Sequence, residues 1–383
     1  MEGHASAAGG AADGEDLGHE PGDEPSAPKK RRRIFDRVPR GVRWGVAALV
    51  TAFVFEYLAL PPLVGASKSL SLLGRVNVGM LLLGIAAEAG ALVAYALLTT
   101  SVLPRSGPGL FTLLRINMST MAVSHVLPGG TAGGTGLGYR LLTQSGVRGT
   151  DAGFAIATQG IGSAVVLNGI FWTALVISIP FHPFNPLYAI AAVVGAFLLG
   201  AFAGLVLLLT KGQEHAALLV GKLARKVPFL DEDQLVGLVR RIAARVHTLA
   251  EDRELLVRSI IWAGTNWLLD AASLWIFCAA FGKWFSPVDV LVAYGLANVL
   301  AAIPITPGGL GVVEGVLIPT LSGFGAAKQV VVLAVVTYRL FNFWLPIPTG
   351  GVAWASLQVK FGMPRRRALR EIGHMGDAPG AHT

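Results

Sequence analysis

Residues 76–99 read Val-Asn-Val-Gly-Met-Leu-Leu-Leu-Gly-Ile-Ala-Ala-Glu-Ala-Gly-Ala-Leu-Val-Ala-Tyr-Ala-Leu-Leu-Thr, with Glu88 the one charged residue among them. A helix needs about 20 mostly apolar residues to cross ~30 Å of hydrocarbon, and this run supplies them unbroken. It does not alternate polar with apolar positions, so it reads as a helix that pairs its backbone groups internally rather than as a barrel strand. Comparable runs lie at roughly 44–65, 153–179, 187–209, 258–281, 286–303, 328–345 and 346–361. The last is short and carries Pro348 and Gly350-Gly351. The predicted fold is an all-α, polytopic transmembrane bundle of about eight spans, with re-entrant segments at two Pro-Gly-Gly breaks.

Composition agrees. Of 383 residues, 53% are apolar and 14% charged, against roughly 25% charged in a soluble domain. The net charge of +8 does not point to nucleic acid, because the basic residues flank hydrophobic runs, where they meet anionic headgroups and set topology. Residues 1–43 form a basic N-terminal region, acidic and disordered by composition up to Pro28, then Lys29-Lys30-Arg31-Arg32-Arg33 with Arg37, Arg40 and Arg43. No apolar segment follows a short basic start, so this is not a signal peptide. The transmembrane domain spans 44–361, and 362–383 is a tail. Lys222, Arg225, Lys226, Arg240, Arg241 and Arg245 concentrate in the loop 211–257, and Arg365, Arg366 and Arg367 in the tail. An even number of spans places all of these with the N-terminus on the cytoplasmic side of the cell membrane. Within the loop, Leu235, Leu238, Val239, Ile242 and Val246 recur at the spacing of an amphipathic helix.

The most informative feature occurs twice. The first copy is His125-Val-Leu-Pro128-Gly129-Gly130, and the second is Ile303-Pro304-Ile-Thr306-Pro307-Gly308-Gly309-Leu-Gly311-Val-Val-Glu314. Proline removes a helix donor and glycine admits backbone angles closed to other residues. Each motif therefore breaks a helix, freeing amides and carbonyls and exposing half-helix ends able to bind charged groups at membrane depth. The apolar stretch 110–127 also holds Arg115, Asn117, Ser119, Ser124 and His125, too polar for a lipid-facing span, and fits a re-entrant half-helix.

Glu56, Glu88, Asp270, Glu314 and Arg339 lie within apolar runs, where a charge is costly unless it faces a partner or a wet cavity. Arg339 is expected to pair with Glu314 or to hold a phosphate. Asn117, Asn266, Asn298 and Asn342 suit hydrogen bonds between helices. The candidate substrate-binding set is Arg115, Asn117, His125, Pro128, Gly129, Gly130, Arg140, Asn298, Pro307, Gly308, Gly309, Glu314 and Arg339. No catalytic group, metal or cofactor is expected: hydrolase, nucleotide-loop and zinc-protease signatures are missing, the eight histidines are scattered, and the single Cys278 forms no disulfide framework.

The stretch 303–315, followed by Tyr338-Arg339 and Phe343-Trp344-Leu345-Pro346, resembles the transmembrane region of lysylphosphatidylglycerol synthase/flippases. Arg115, Asn117, Leu127-Pro128-Gly129-Gly130 and Arg140 are similar to that family's first-half motif, and the likeness covers nearly all of 40–360. It implies a helical bundle with re-entrant segments in each half, associated with moving aminoacylated phospholipid between leaflets. Two features depart from the pattern. No acid follows the first Pro-Gly motif before Arg140, and Gln159 stands where many members have a Glu-Arg pair. With its short tail, the sequence is expected to carry no soluble aminoacyl-transferase domain.

The function expected on these grounds is flippase-like translocation of a phospholipid or lipid-linked substrate, not enzymatic catalysis. The partners expected are membrane lipids with anionic headgroups, and a homo-oligomer or a separately encoded lipid-modifying enzyme. The alternatives are a secondary transporter for a small polar solute or polyprenyl-linked sugar, and a non-transporting scaffold.

Overall fold

The computed structural model describes residues 76–127, 130–178, 252–301 and 306–361, with isolated positions 196 and 200. The expected spans at 44–65 and 187–209, Glu56, the amphipathic loop helix, both terminal regions, and Pro128 and Gly129 lie outside the described residues. Every long described segment is helical, and among the described residues three helices are long and apolar enough to cross a membrane.

The first half comprises α1 (Val78–Val102), α2 (Leu110–Val126), α3 (Gly130–Gln144) and α4 (Gly149–Ser178). The second comprises α5 (Arg253–Ala280), α6 (Pro287–Ala301), α7 (Val312–Gly323) and α8 (Lys328–Lys360). The two halves follow one plan. A long helix leads to a shorter one, a Pro-Gly-Gly break, a second short helix, a turn at a left-handed glycine (Gly146 or Gly325) and a long helix with a π turn. α2 and α3, of 17 and 15 residues, reach only about 25 and 22 Å at 1.5 Å per residue. Neither covers the ~30 Å core alone, as a re-entrant hairpin requires.

Small residues close that hairpin. Gly130, Gly134 and Gly138 recur every four residues and present one bare face of α3 to Thr120 and Ser124 of α2; a Cβ at Gly130 would overlap the Ser124 backbone. The central pair, α1 and α5, runs antiparallel: the amide of Asn77 donates to the carbonyl of Ala280 at 3.0 Å, and Phe277 lies on the bare face of Gly84. Around this pair the halves exchange partners. The end of α8 packs on α2, where Gly350 meets Met118 and Ala122, and the end of α4 packs on α6, where Phe171 fills the space at Gly295.

One expected boundary is absent. The runs 328–345 and 346–361 form a single 33-residue helix. Its ladder widens over Leu340–Trp344, and the amide of Leu345 donates five residues back to Leu340 at 2.8 Å. A wide turn loosens the i→i−4 ladder just where Pro346 begins the last helical stretch, so the prolines that signalled a stop are accommodated. Gly350 marks a close helix contact there, not a break. The side on which the tail lies then rests on loop charge alone.

Candidate functional site

The second break is set by its glycines. Gly308, Gly309 and Gly311 have φ of 56°, 68° and 79°, a region that L side chains enter only at a cost. The turn delivers Gly311 as the residue that caps α7, and Glu314, three residues on, accepts the Gly311 amide at 2.7 Å. This places a carboxylate at the positive end of a helix. The other oxygen of Glu314 accepts from Nε of Arg339. Both side chains are buried, at 7% and 3% exposure, so the pair is shielded from water and from salt screening. Arg339 Nη2 also donates to the carbonyl of Gly308 at 3.3 Å, and its guanidinium lies 4.5 Å from the centre of the Phe343 ring. The expected Glu314–Arg339 pair is present, and the guanidinium is shared among a carboxylate, a carbonyl and an aromatic face.

Phe343 joins the two breaks. Its ring stacks on His125 with centroids 4.3 Å apart, and its carbonyl lies 3.1 Å from His125 Nδ1. It also fills the space above Gly308, where a Cβ would collide with the ring. His125, immediately before the first break, and Gly308, within the second, thus meet on one fully buried aromatic. Sequence reasoning quoted Phe343 only as part of a motif and left it out of the site, because a phenylalanine in an apolar run carries no local sign of which residues it will touch.

The remaining candidates divide. Asn117 is buried in α2 and donates to Thr99 of α1 at 3.1 Å, and Gln159, in the π turn of α4, donates to Thr99 and to Asn117. Arg115 donates to Ser356 of α8 at 3.3 Å and lies over the Phe111 ring, while its Nε is buried with no hydrogen-bond partner. Lys360 reaches Thr112 beside it at 3.0 Å. Asn298 donates to the carbonyl of Tyr294 in its own helix at 3.0 Å, so it does not bridge helices as expected. Arg140 lies on α3, near its C-terminal end. Gly130 and Gly309 serve close backbone contacts, and Pro307 opens the turn of the second break. Thr306, one residue earlier, has a buried hydroxyl without a partner.

A second polar cluster lies on the central pair. Glu88 of α1 and Asp270 of α5 are buried, and Asn342 of the α8 π turn donates to both, at 3.1 and 3.0 Å. Tyr294 donates to Asp270 at 2.6 Å. Asn342 does bridge helices as expected. The sequence marked Glu88 and Asp270 as ionisable groups in apolar runs but did not bring them together. Among the described residues, no group of three or more histidine, cysteine or acidic side chains is disposed to hold a metal ion.

Paired breaks meeting at a buried ion pair occupy the span that a family model also recognises. The model for the lysylphosphatidylglycerol synthase transmembrane region matches residues 41–350. The chain belongs to that family. Its similar proteins include a UPF0104 membrane protein of Methanothermobacter thermautotrophicus, 31% identical over 30% of this chain and 36% of the relative. The inner membrane protein YbhN of Escherichia coli is 25% identical over 56% of this chain and 60% of that protein. The aligned regions thus span between about a third and three-fifths of these relatives' lengths. Family membership and the long apolar helices make the chain an integral membrane protein.

Proposed function

We propose that this protein is a flippase-like translocator that carries the headgroup of a phospholipid or lipid-linked substrate between leaflets, and that it catalyses no chemical step of its own. One observation carries the reading: the helix breaks of the two halves converge on Phe343, beside a buried carboxylate–guanidinium pair. Broken helices facing one another supply backbone dipoles and unpaired polar groups at membrane depth, which is what a polar headgroup needs to leave water. The unpartnered Thr306 hydroxyl lies at the second break. Arg115, with its unpartnered Nε, and Lys360 present positive charge in the first turns of α2, a reception point for a headgroup phosphate. Acyl chains would remain in the surrounding lipid.

The basic loops and the description of one relative as an inner membrane protein support placement in the cytoplasmic membrane, with both termini inside. Anionic lipids are the partners this charge favours.

The test is lipid movement in proteoliposomes holding the full chain, followed with headgroup-labelled phospholipids. Wild-type protein should accelerate exchange between leaflets, and Phe343→Ala, which removes the contact between the breaks, should alter the rate at least severalfold. Exchange no faster than in protein-free vesicles, for anionic, zwitterionic and polyprenyl-linked probes alike, would refute translocation. Rates unchanged by Glu314→Gln and Arg339→Gln would remove that pair from the pathway.

A further inference from the structure

Counting hydrogens around Glu88 leads to a site that the lipid pathway does not use. Ser273 Oγ lies 2.7 Å from the carbonyl of Asp270 and 2.9 Å from Glu88 Oε2. A serine hydroxyl has one hydrogen, and a backbone carbonyl only accepts. If that hydrogen goes to the Asp270 carbonyl, Glu88 Oε2 must bring the hydrogen for the second contact. The other arrangement shares one hydrogen between two acceptors and leaves an ionised carboxylate oxygen under-satisfied at a residue 5% exposed, which is costly in a low-dielectric interior.

Charge leads to the same place. Asn342 Nδ2 lies 3.1 Å from Glu88 Oε1 and 3.0 Å from Asp270 Oδ1, so the two carboxyl groups are held against one amide nitrogen. Two like charges at that separation, away from water, do not both ionise. Among the described residues, the groups facing them from each packed helix supply no free cation. α6 contributes the Tyr294 hydroxyl, which donates to Asp270 Oδ2 at 2.6 Å. α5 contributes Ser273, and α8 contributes Asn342, the Tyr338 hydroxyl, also bonded to Asp270, and Arg339. Arg339 is already matched by Glu314 of α7, and His125 of α2 is engaged by the ring and carbonyl of Phe343. The donors gather on Asp270, which makes it the ionised member and Glu88 the protonated one.

A separate observation gives this proton a consequence. Asn342, which touches both carboxyl groups, is followed in the same π turn by Phe343, which touches both breaks. π turns are rare and are found disproportionately at functional positions. We propose that Glu88 and Asp270 form an exchangeable one-proton site, and that Asn342 couples its occupancy to the Phe343 contact between the two breaks. With the proton on Glu88, the Asn342 amide bridges a neutral acid and a carboxylate. When it leaves to solvent, two carboxylates repel across that amide, and the turn carrying Phe343 must shift or admit water.

The test needs no knowledge of the cargo, so it fails or succeeds independently of the lipid reading. Infrared spectra of the full chain in nanodiscs should show a carboxylic-acid C=O band at neutral pH. That band should be lost in Glu88→Gln and should disappear reversibly as pH rises within the folded range. Carbon-13 labelling of glutamate, but not of aspartate, should shift it in the unmodified protein, and the band should survive in Glu56→Gln. Together these assign it away from Asp270 and Glu56 even if Glu88→Gln does not fold. Hydrogen exchange of the peptide covering 340–344, corrected for intrinsic rates, should change across the same pH interval in wild type and stay flat in Glu88→Gln. Absence of a glutamic-acid band overturns the site. A band that persists wherever the protein is folded makes the proton a fixed structural one and overturns exchange. A band that titrates while 340–344 does not respond overturns the coupling.

Discussion

Without Arg339, Glu314 would keep the Gly311 amide and the positive end of α7, whereas without Glu314, Arg339 would keep only the Gly308 carbonyl and the Phe343 face. The two halves of their buried pair should therefore fail unequally. Glu314→Gln leaves a permanent cation at 3% exposure and is expected to destabilise by about 3–5 kcal/mol, the usual cost of orphaning a buried partner. Arg339→Gln should cost less, and the double substitution should recover part of the loss. Unfolding of the three variants in nanodiscs checks the order, and a double variant no better than Glu314→Gln alone would contradict the pairing. Gly308→Ala meets two obstacles, its left-handed backbone and the Phe343 ring. Phe343→Ala in the same chain should relieve the second and leave the first, about 1 kcal/mol or more. This pair was legible in the sequence because Glu314 and Arg339 stood out against apolar neighbours. The role of Phe343 was hidden, because contact between residues 125 and 343 follows from tertiary packing and leaves no local pattern.

Among the elements, the α2–α3 hairpin shows that a glycine's importance depends on its face. Gly134 abuts Ser124 and Thr120 of α2, while Gly136, two residues on, has open space around it. Gly134→Leu should separate the hairpin, seen as loss of monodisperse protein on size exclusion. Gly136→Leu should be tolerated or slightly stabilising, since leucine favours helix over glycine by nearly 1 kcal/mol. Equal behaviour of the two would contradict the packing. In α8, Pro346→Ala should leave the helix continuous and change stability by less than about 1 kcal/mol, because the π turn already accommodates the proline there. The breaks were visible in the sequence because proline and glycine act on their own backbone. The π turns were not, since an extra residue in a helical turn has no composition, and Pro348 with Gly350-Gly351 therefore read as a stop.

For the whole molecule, repetition of Pro-Gly-Gly disclosed that the chain has two comparable halves. It did not disclose that each half's last helix packs on the other's hairpin, α8 on α2 and α4 on α6. Each hairpin is therefore buried in part by the other half. Co-expressed fragments 1–210 and 211–383 should copurify, and each expressed alone should be degraded or aggregate. Recovery of either fragment alone as a stable, monodisperse species would argue against exchanged packing. Membrane character was the most legible property at this scale, because it depends on summed hydropathy and needs no contact map.

Cys278 gives the molecule a practical property. It is the only cysteine in the chain, and it is fully buried on α5 within the principal core cluster. A maleimide or spin-label reagent should leave it unmodified while the protein is folded. Single reporter thiols placed on either side of the two breaks can then be labelled in the otherwise native chain, with the untouched core thiol serving as an internal gauge of unfolding.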